Sequence, residues 1–173
     1  CHNYLKNGSF DDDLAHWDFS SVPRDNTVPA TCTADTPPVI IGDFKLARLG
    51  RCDNNIDTLS QQVTIPDGAT SVYLNYDWIV ITDETDPPGD NLKDFLTVKV
   101  LSYDEGFTFQ QITSRDKKAD WTKAAYPLNR YQGEMIQLNY EAMNDSNLDV
   151  DDPTHFYIEN VAVIVCGPDS IHH

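Results

Sequence analysis

Positive charge is what this chain has least of. Its 12 Lys and Arg stand against 28 Asp and Glu, a formal charge of −16 at pH 7. So negative a surface repels nucleic acid and anionic membranes, which excludes both and leaves cations as natural partners. Long apolar runs are missing too: none approaches the roughly 20 residues that a membrane-spanning helix needs. No stretch sustains a helical period, and residues 114–120 have room for one turn at most. Signatures of catalysis are also lacking. There is no Gly-x-Ser-x-Gly, and the five histidines, His2, His16, His155, His172 and His173, crowd the two ends of the chain. A glycosidase needs two carboxylates about 5 to 9.5 Å apart in a cleft. Nothing in the spacing of the 28 acids singles out such a pair. The chain reads as non-catalytic.

Cysteine is sparse but even in number. The 4 cysteines, Cys1, Cys32, Cys52 and Cys166, contain no C-x-x-C and match no usual zinc spacing. Two disulfides and an oxidising, extracellular setting are therefore expected. The favoured pairing is Cys1–Cys166, if the terminal strands are neighbours, with Cys32–Cys52 pinning the proline-rich loop at 22–38. A chain numbered from Cys1 is expected to be mature, its signal peptide removed, with a lipidated Cys1 as the competing reading.

What the chain has in quantity is alternation. At 173 residues it is long enough for one domain with a full core, residues 1–173, with 167–173 as a tail. The clearest period-2 stretch is 72–81. Val72, Leu74, Tyr76, Trp78 and Val80 share one face, expected in the core, and Tyr73, Asn75, Asp77, Ile79 and Ile81 share the other. Further strands are expected at 14–20, 44–49, 58–65, 95–101, 107–112, 121–128, 134–143 and 154–166. Pro66-Asp67-Gly68 supplies a turn in which Pro sets φ and Gly accepts a positive one, and Gly106 and Gly133 mark two more. Many short strands with regular turn signals imply an antiparallel β-sandwich. Trp17, Trp78 and Trp121 lie in apolar alternation and are expected in its core.

Four motifs recur in a particular order. They are N-G-S-F-D-x-x-L-x-x-W from Asn7, L-G-x-C-D-N-N-I-D-T-L-S-Q-Q-V-T-I-P-x-G-A from Leu49, W-T-K-A-A-Y-P-L-x-x-Y-Q-G from Trp121, and F-Y-I-E-N-V-A-V from Phe156. In order and spacing the chain resembles the galactose-binding-like jelly-roll domains. These include carbohydrate-binding modules and the accessory domains of secreted bacterial peptidases and surface proteins. The resemblance implies a jelly roll with adjacent termini. It also implies a structural calcium ion joining the first and last strands through Asp11 and Glu159, with backbone carbonyls near 7–9 and Asp43 as further candidates. Glu159 interrupts the apolar run of the last strand, where a carboxylate is costly unless a cation or hydrogen-bond donors meet it.

Two more stretches carry Asp-x-Asn-x-Asp: Asp53, Asn55, Asp57 and Asp145, Asn147, Asp149. Oxygens on alternate residues can curl around calcium, which takes six to eight oxygen ligands at about 2.3 to 2.6 Å. Neither stretch has the Gly and terminal Glu of an EF-hand, so each reads first as a solvated Asx turn and second as a calcium loop. For recognition, the outward positions Tyr73, Asn75 and Asp77 are expected to share one sheet face with Lys99, Gln137, Asn139 and Glu141. An aromatic ring with amides and carboxylates suits a glycan, by stacking on C–H faces and hydrogen-bonding hydroxyls. The alternatives are assembly into an extracellular fibre or surface layer, with copies of the chain or other surface proteins, through the apolar 39–41 segment or an open strand edge, and service as the accessory domain of a secreted enzyme.

Overall fold

The computed structural model describes residues 1–23, 45–50, 55–82, 94–103, 105–116, 120–144 and 154–168. Alternation of large apolar with polar residues makes these segments strands with one buried face. In chain order they are β1 (His2–Asn3), β2 (Asp18–Pro23), β3 (Ala47–Leu49), β4 (Asn55–Thr64), β5 (Ser71–Ile81), β6 (Phe95–Ser102), β7 (Glu105–Thr113), β8 (Thr122–Pro127), β9 (Met135–Asn144) and β10 (His155–Cys166). Single 3₁₀ turns at Ser114–Asp116 and Asn129–Tyr131 are the only helical elements among the described residues. The first falls where the sequence left room for one turn.

The strands form two antiparallel five-stranded sheets. Sheet A runs β1-β10-β5-β8, with β3 also on β10, and sheet B runs β2-β4-β9-β6-β7. The fold is the expected antiparallel β-sandwich. Val72, Leu74, Tyr76, Trp78 and Val80 are buried, as their alternation requires. They meet Leu59, Val63, Leu96, Val98, Val100, Ile136, Leu138 and Tyr140 of sheet B in one core. Rings bridge it: Tyr76 meets Tyr140 edge-on at 5.3 Å, and Trp17 lies 5.4 Å from Phe10 and 6.5 Å from Tyr140. Tyr76 donates its hydroxyl to Gln110 Oε1 at 2.6 Å, and burial pushes its pKa far up.

The termini are neighbours: His2 pairs with Val165, and a disulfide joins Cys1 to Cys166. Cys32 and Cys52 lie outside the described residues, so their pairing does too. Between the ends of β1 and β3, residues 4–9 continue along β10, with Tyr4 N donating to the Val163 carbonyl and Val161 N donating to the Gly8 carbonyl. A Cβ at Gly8 would run into the carbonyl of Val161, which explains glycine there. Asn7, at φ 50°, organises the turn that follows. Its amide donates to the carbonyls of Asp13 at 3.1 Å and Ala15 at 2.9 Å, its Oδ1 accepts from Asp12 N, and its own carbonyl accepts from Trp17 Nε1 at 2.9 Å. The N-G-S-F…W motif is thus a folded plug, with Phe10 and Trp17 buried beneath it.

Three expectations need correction. The strand expected at 14–20 begins only at Asp18, because the preceding residues are wrapped around Asn7. Gly106 does not make the β6–β7 turn. It sits within β7 opposite Leu101, and Tyr103, at φ 54°, takes the left-handed position. Trp121 is not in the core: it is 38% exposed, on the same outward parity as Lys123 and Ala125, while Thr122, Ala124 and Tyr126 turn inward.

Candidate functional site

The outward residues of sheet B form a grid set by strand register. Gln62, Gln137 and Leu101 make one row, Ser60, Asn139 and Lys99 the next, and Thr58, Glu141 and Thr97 a third. Apart from Leu101 these three rows are polar, and the next row, Val22, Ile56, Met143 and Phe95, is apolar. Asn139 faces away from the core yet is only 6% exposed, so its neighbours close over it. Its Oδ1 accepts from Gln137 Nε2 at 3.0 Å, and Lys99 Nζ lies 3.7 Å from Glu141 Oε2. An ion pair at this level of exposure adds about 0.2–1 kcal/mol, so it orients the two side chains more than it stabilises the fold.

At its lower end this face meets the β6–β7 hairpin. Gln62, Leu101, Met135 and Gln137 line a pocket of about 340 Å³ that is closed on one side by Tyr103. On the far side of Tyr103 a second pocket, of about 510 Å³, is lined by Ser102, Gly106, Phe107, Arg130 and Glu134. Tyr103 is 89% exposed.

Sheet A presents a different outer face. Asp77 pairs with Glu159 across strands, two carboxylates side by side, with Lys123 opposite Asp77 on the other flank. Lys123 Nζ lies 3.4 Å from Asp77 Oδ1, and Asn160 Nδ2 donates to Asp77 Oδ2 at 3.1 Å. Asn160, at φ 51°, sits in the bulge that lets β10 turn both Glu159 and Asn160 outward. Asp77 thereby takes the available donors. Burial, with the Asp77 carboxylate beside it, raises the pKa of Glu159, against the pull of Lys123. The rest of this face carries Tyr73, Ile79, Ile81, Tyr157 and Trp121, with Tyr73 and Ile81 well exposed.

A third polar group lies inside the sandwich at one end. Asp57 and Asp94 are buried there with Asn55 and Asn144. Asp57 accepts from Gly50 N at 3.1 Å and from Asn55 Nδ2 at 2.7 Å. Asn144 donates to the carbonyls of Gly50 and Thr154, and the Thr154 hydroxyl donates to Asp94 Oδ2 at 2.7 Å. An unbroken chain of hydrogen bonds thus links the two carboxylates through the ends of several strands.

The recognition residues expected on one face are divided by this topology. Lys99, Gln137, Asn139 and Glu141 come together on sheet B, whereas Tyr73, Asn75 and Asp77 lie on the opposite outer face, because β5 pairs with β10 and β8. Inside-outside parity was right for every one of them, and sheet membership was not. Thr58, Ser60 and Gln62 complete the sheet B grid and were missed, although their alternation with Leu59 and Val63 placed them on a polar face. Tyr103 and Arg130 were missed too. An aromatic set between Ser102 and Asp104 in a polar turn was the available signal for Tyr103.

Among the metal candidates, Asp11 accepts the Ser9 hydroxyl at 2.8 Å, while Glu159 faces Asp77 and Lys123. No three His, Cys, Asp or Glu gather into a metal-holding group among the described residues. Asn55 and Asp57 are on a strand rather than in a loop. Asp43, Asp53, Asp145, Asn147 and Asp149 lie outside the described residues.

No family model matches the chain, and no curated protein matches it in sequence. Solved structures do. TmCBM61, in complex with β-1,4-galactotriose, aligns over 95% of this chain and 99% of its own at a TM-score of 0.58 and 14% identity. The family 11 carbohydrate-binding module of a cellulosomal cellulase of Clostridium thermocellum aligns over 96% and 95%, at 0.50 and 12%. The enzymatically active domain of tailspike protein 4 of bacteriophage CBA120 covers 94% of this chain, which spans 21% of it, at 0.53 and 14%. At such identities the likeness is one of fold, and the chain has the β-sandwich fold of carbohydrate-binding modules.

Proposed function

We propose that the chain is a non-catalytic glycan-binding module and that its binding surface is the outer face of sheet B. One observation carries this reading: Asn139, Gln137, Lys99 and Glu141 form a pre-oriented set of donors and acceptors on an outward face, with Asn139 sunk among its neighbours. Sugar hydroxyls both donate and accept, and a face that offers amides, an ammonium and a carboxylate in fixed positions can meet them without reordering. The fold is the one seen in TmCBM61 with its bound galactotriose, which supports the same reading. The Cys1–Cys166 disulfide suits an extracellular setting, where such bonds persist.

Calcium belongs to this proposal as a stabilising ion, and the buried end at Asp57 and Asp94 fits it better than Asp11 with Glu159. Two carboxylates and strand-end carbonyls are hard oxygen donors of the kind that calcium takes. Binding only to the folded chain would add about 2.7 kcal/mol at a hundredfold excess over Kd. A glycan array with calorimetric titration tests recognition, and melting in calcium and in EDTA tests the ion. Silence across neutral glycans rejects the first, and an unchanged melting temperature rejects the second.

A second reading, assembly with other copies, is favoured by Tyr73, Ile81 and Trp121 exposed together on sheet A. The 39–41 segment first expected to mediate it lies outside the described residues. Sedimentation of the native protein separates the two readings: large particles with no glycan response would favour assembly.

A further inference from the structure

The pocket beyond Tyr103 is separate from the sheet B grid and has its own chemistry. The Arg130 guanidinium lies over the Phe107 ring at 5.0 Å and over the Tyr131 ring at 4.8 Å. No carboxylate pairs with it among the described residues, so its N–H donors stay available while the two rings fix its plane. Glu134 lines the same pocket. Its Oε2 accepts the Ser102 hydroxyl at 2.7 Å, which orients the carboxylate. Gly106 contributes no side chain to the wall, and a Cβ there would come within 2.9 Å of Leu101 Cδ2. Tyr103 lines both pockets and is exposed, its backbone held at φ 54°.

We propose that this pocket is a second sugar subsite, that Tyr103 is the platform over which one oligosaccharide passes from the sheet B face into it, and that the ring it receives is neutral. The inference rests on the glycan reading above and names its ligand class. A guanidinium donor near a carboxylate acceptor reads adjacent hydroxyls, one accepting and one donating. Glu105 and Glu134 outnumber Arg130 in the lining, and the whole chain carries −16, so a uronate carboxylate meets net repulsion. Gln137 belongs both to the grid and to the pocket of about 340 Å³, and Tyr103 lines both pockets, so the grid and the second pocket adjoin at the Tyr103 turn.

The test is calorimetric titration of the full chain with β-1,4-galactotriose, a β-1,3-1,4-mixed-linked tetrasaccharide and α-1,4-trigalacturonate. Tyr103→Asn removes the ring but keeps a residue tolerant of positive φ, so the hairpin is retained. Arg130→Lys keeps the charge and loses the planar fork. Whichever neutral probe binds, Tyr103→Asn should weaken it about tenfold, as expected for a lost stacked ring, and Arg130→Lys should weaken it measurably. Trigalacturonate should bind the unmodified chain at least tenfold more weakly. Full affinity in both variants, with affinity lost in Lys99→Ala, overturns the second subsite and leaves the sheet B reading standing. Equal affinity for trigalacturonate overturns the neutral class. Failure of every neutral probe to bind the unmodified chain overturns both readings together.

Discussion

The two outer faces of this sandwich are built from strands of the same alternating type, yet they differ in chemistry. On sheet B the outward side chains of the central rows are amides, hydroxyls and one ion pair, with Gln137 hydrogen-bonded to Asn139, while Val22, Ile56, Met143 and Phe95 make an apolar row at one end. On sheet A they are exposed apolar rings and aliphatics around a carboxylate pair that its single nearby lysine and Asn160 only half satisfy. Sheet A is also the one that gathers the chain ends, through β1, β10 and the disulfide. The comparison teaches a division of labour: sheet A fastens the fold, and sheet B is free to present polar groups in fixed geometry.

Separating fastening from recognition gives the largest expected effect. Replacing Cys1 and Cys166 by Ser should cost about 2–4 kcal/mol, a fall of roughly 5–15 °C in Tm, while glycan affinity at room temperature stays within twofold. Calorimetric melting and titration of the same sample check both halves, and loss of binding together with stability would break the comparison.

Next comes Lys99→Ala combined with Gln137→Ala. Each removes a hydrogen-bonding partner of about 1–1.5 kcal/mol, so affinity for the bound glycan should fall on the order of a hundredfold while Tm changes little. An unaffected titration would move recognition off sheet B.

Smaller is the effect of Glu159→Gln. A carboxyl whose folded pKa is raised adds stability below its unfolded pKa and loses that contribution as pH rises through the folded value. The penalty is therefore present at pH 7. The variant should melt about 1–3 °C higher there, after allowing for screening of an exposed pair, and should match the unmodified chain near pH 4. A lower Tm at pH 7 would mean that Glu159 is met by a cation.

The smallest effect is expected for Tyr73→Ala and Trp121→Ala on sheet A. Both rings are outside, so affinity and Tm should move by no more than about twofold and 2 °C. A large loss of affinity in either would shift the binding surface to sheet A.

Much of this was legible from local pattern. In β5, Val72 through Val80 told inside from outside without error, and the same parity held for Lys99, Gln137, Asn139 and Glu141. Cysteine parity with adjacent termini led to Cys1–Cys166. Trp121 misled because Ala124 and Tyr126, which do turn inward, lie close by in sequence, and one strand position reverses the face. The turn motif at Asn7 was visible as a resemblance, but its role as a hydrogen-bond hub for Asp12, Asp13, Ala15 and Trp17 was not. That role depends on carbonyls brought together by left-handed backbone at several positions.

By itself, the amino-acid order determined that the chain would be an antiparallel β-sandwich and which side of β5, β6 and β9 would be buried. These follow from properties a residue shares with its neighbours two places away. Only the tertiary structure decided that β5 belongs with β10 and β8, and so that Tyr73 lies on the face opposite Asn139. It alone set Tyr103 between two pockets and brought Asp57 and Asp94 to one buried end. Strand pairing joins residues far apart in sequence, and period-2 alternation is the same whichever partner a strand takes.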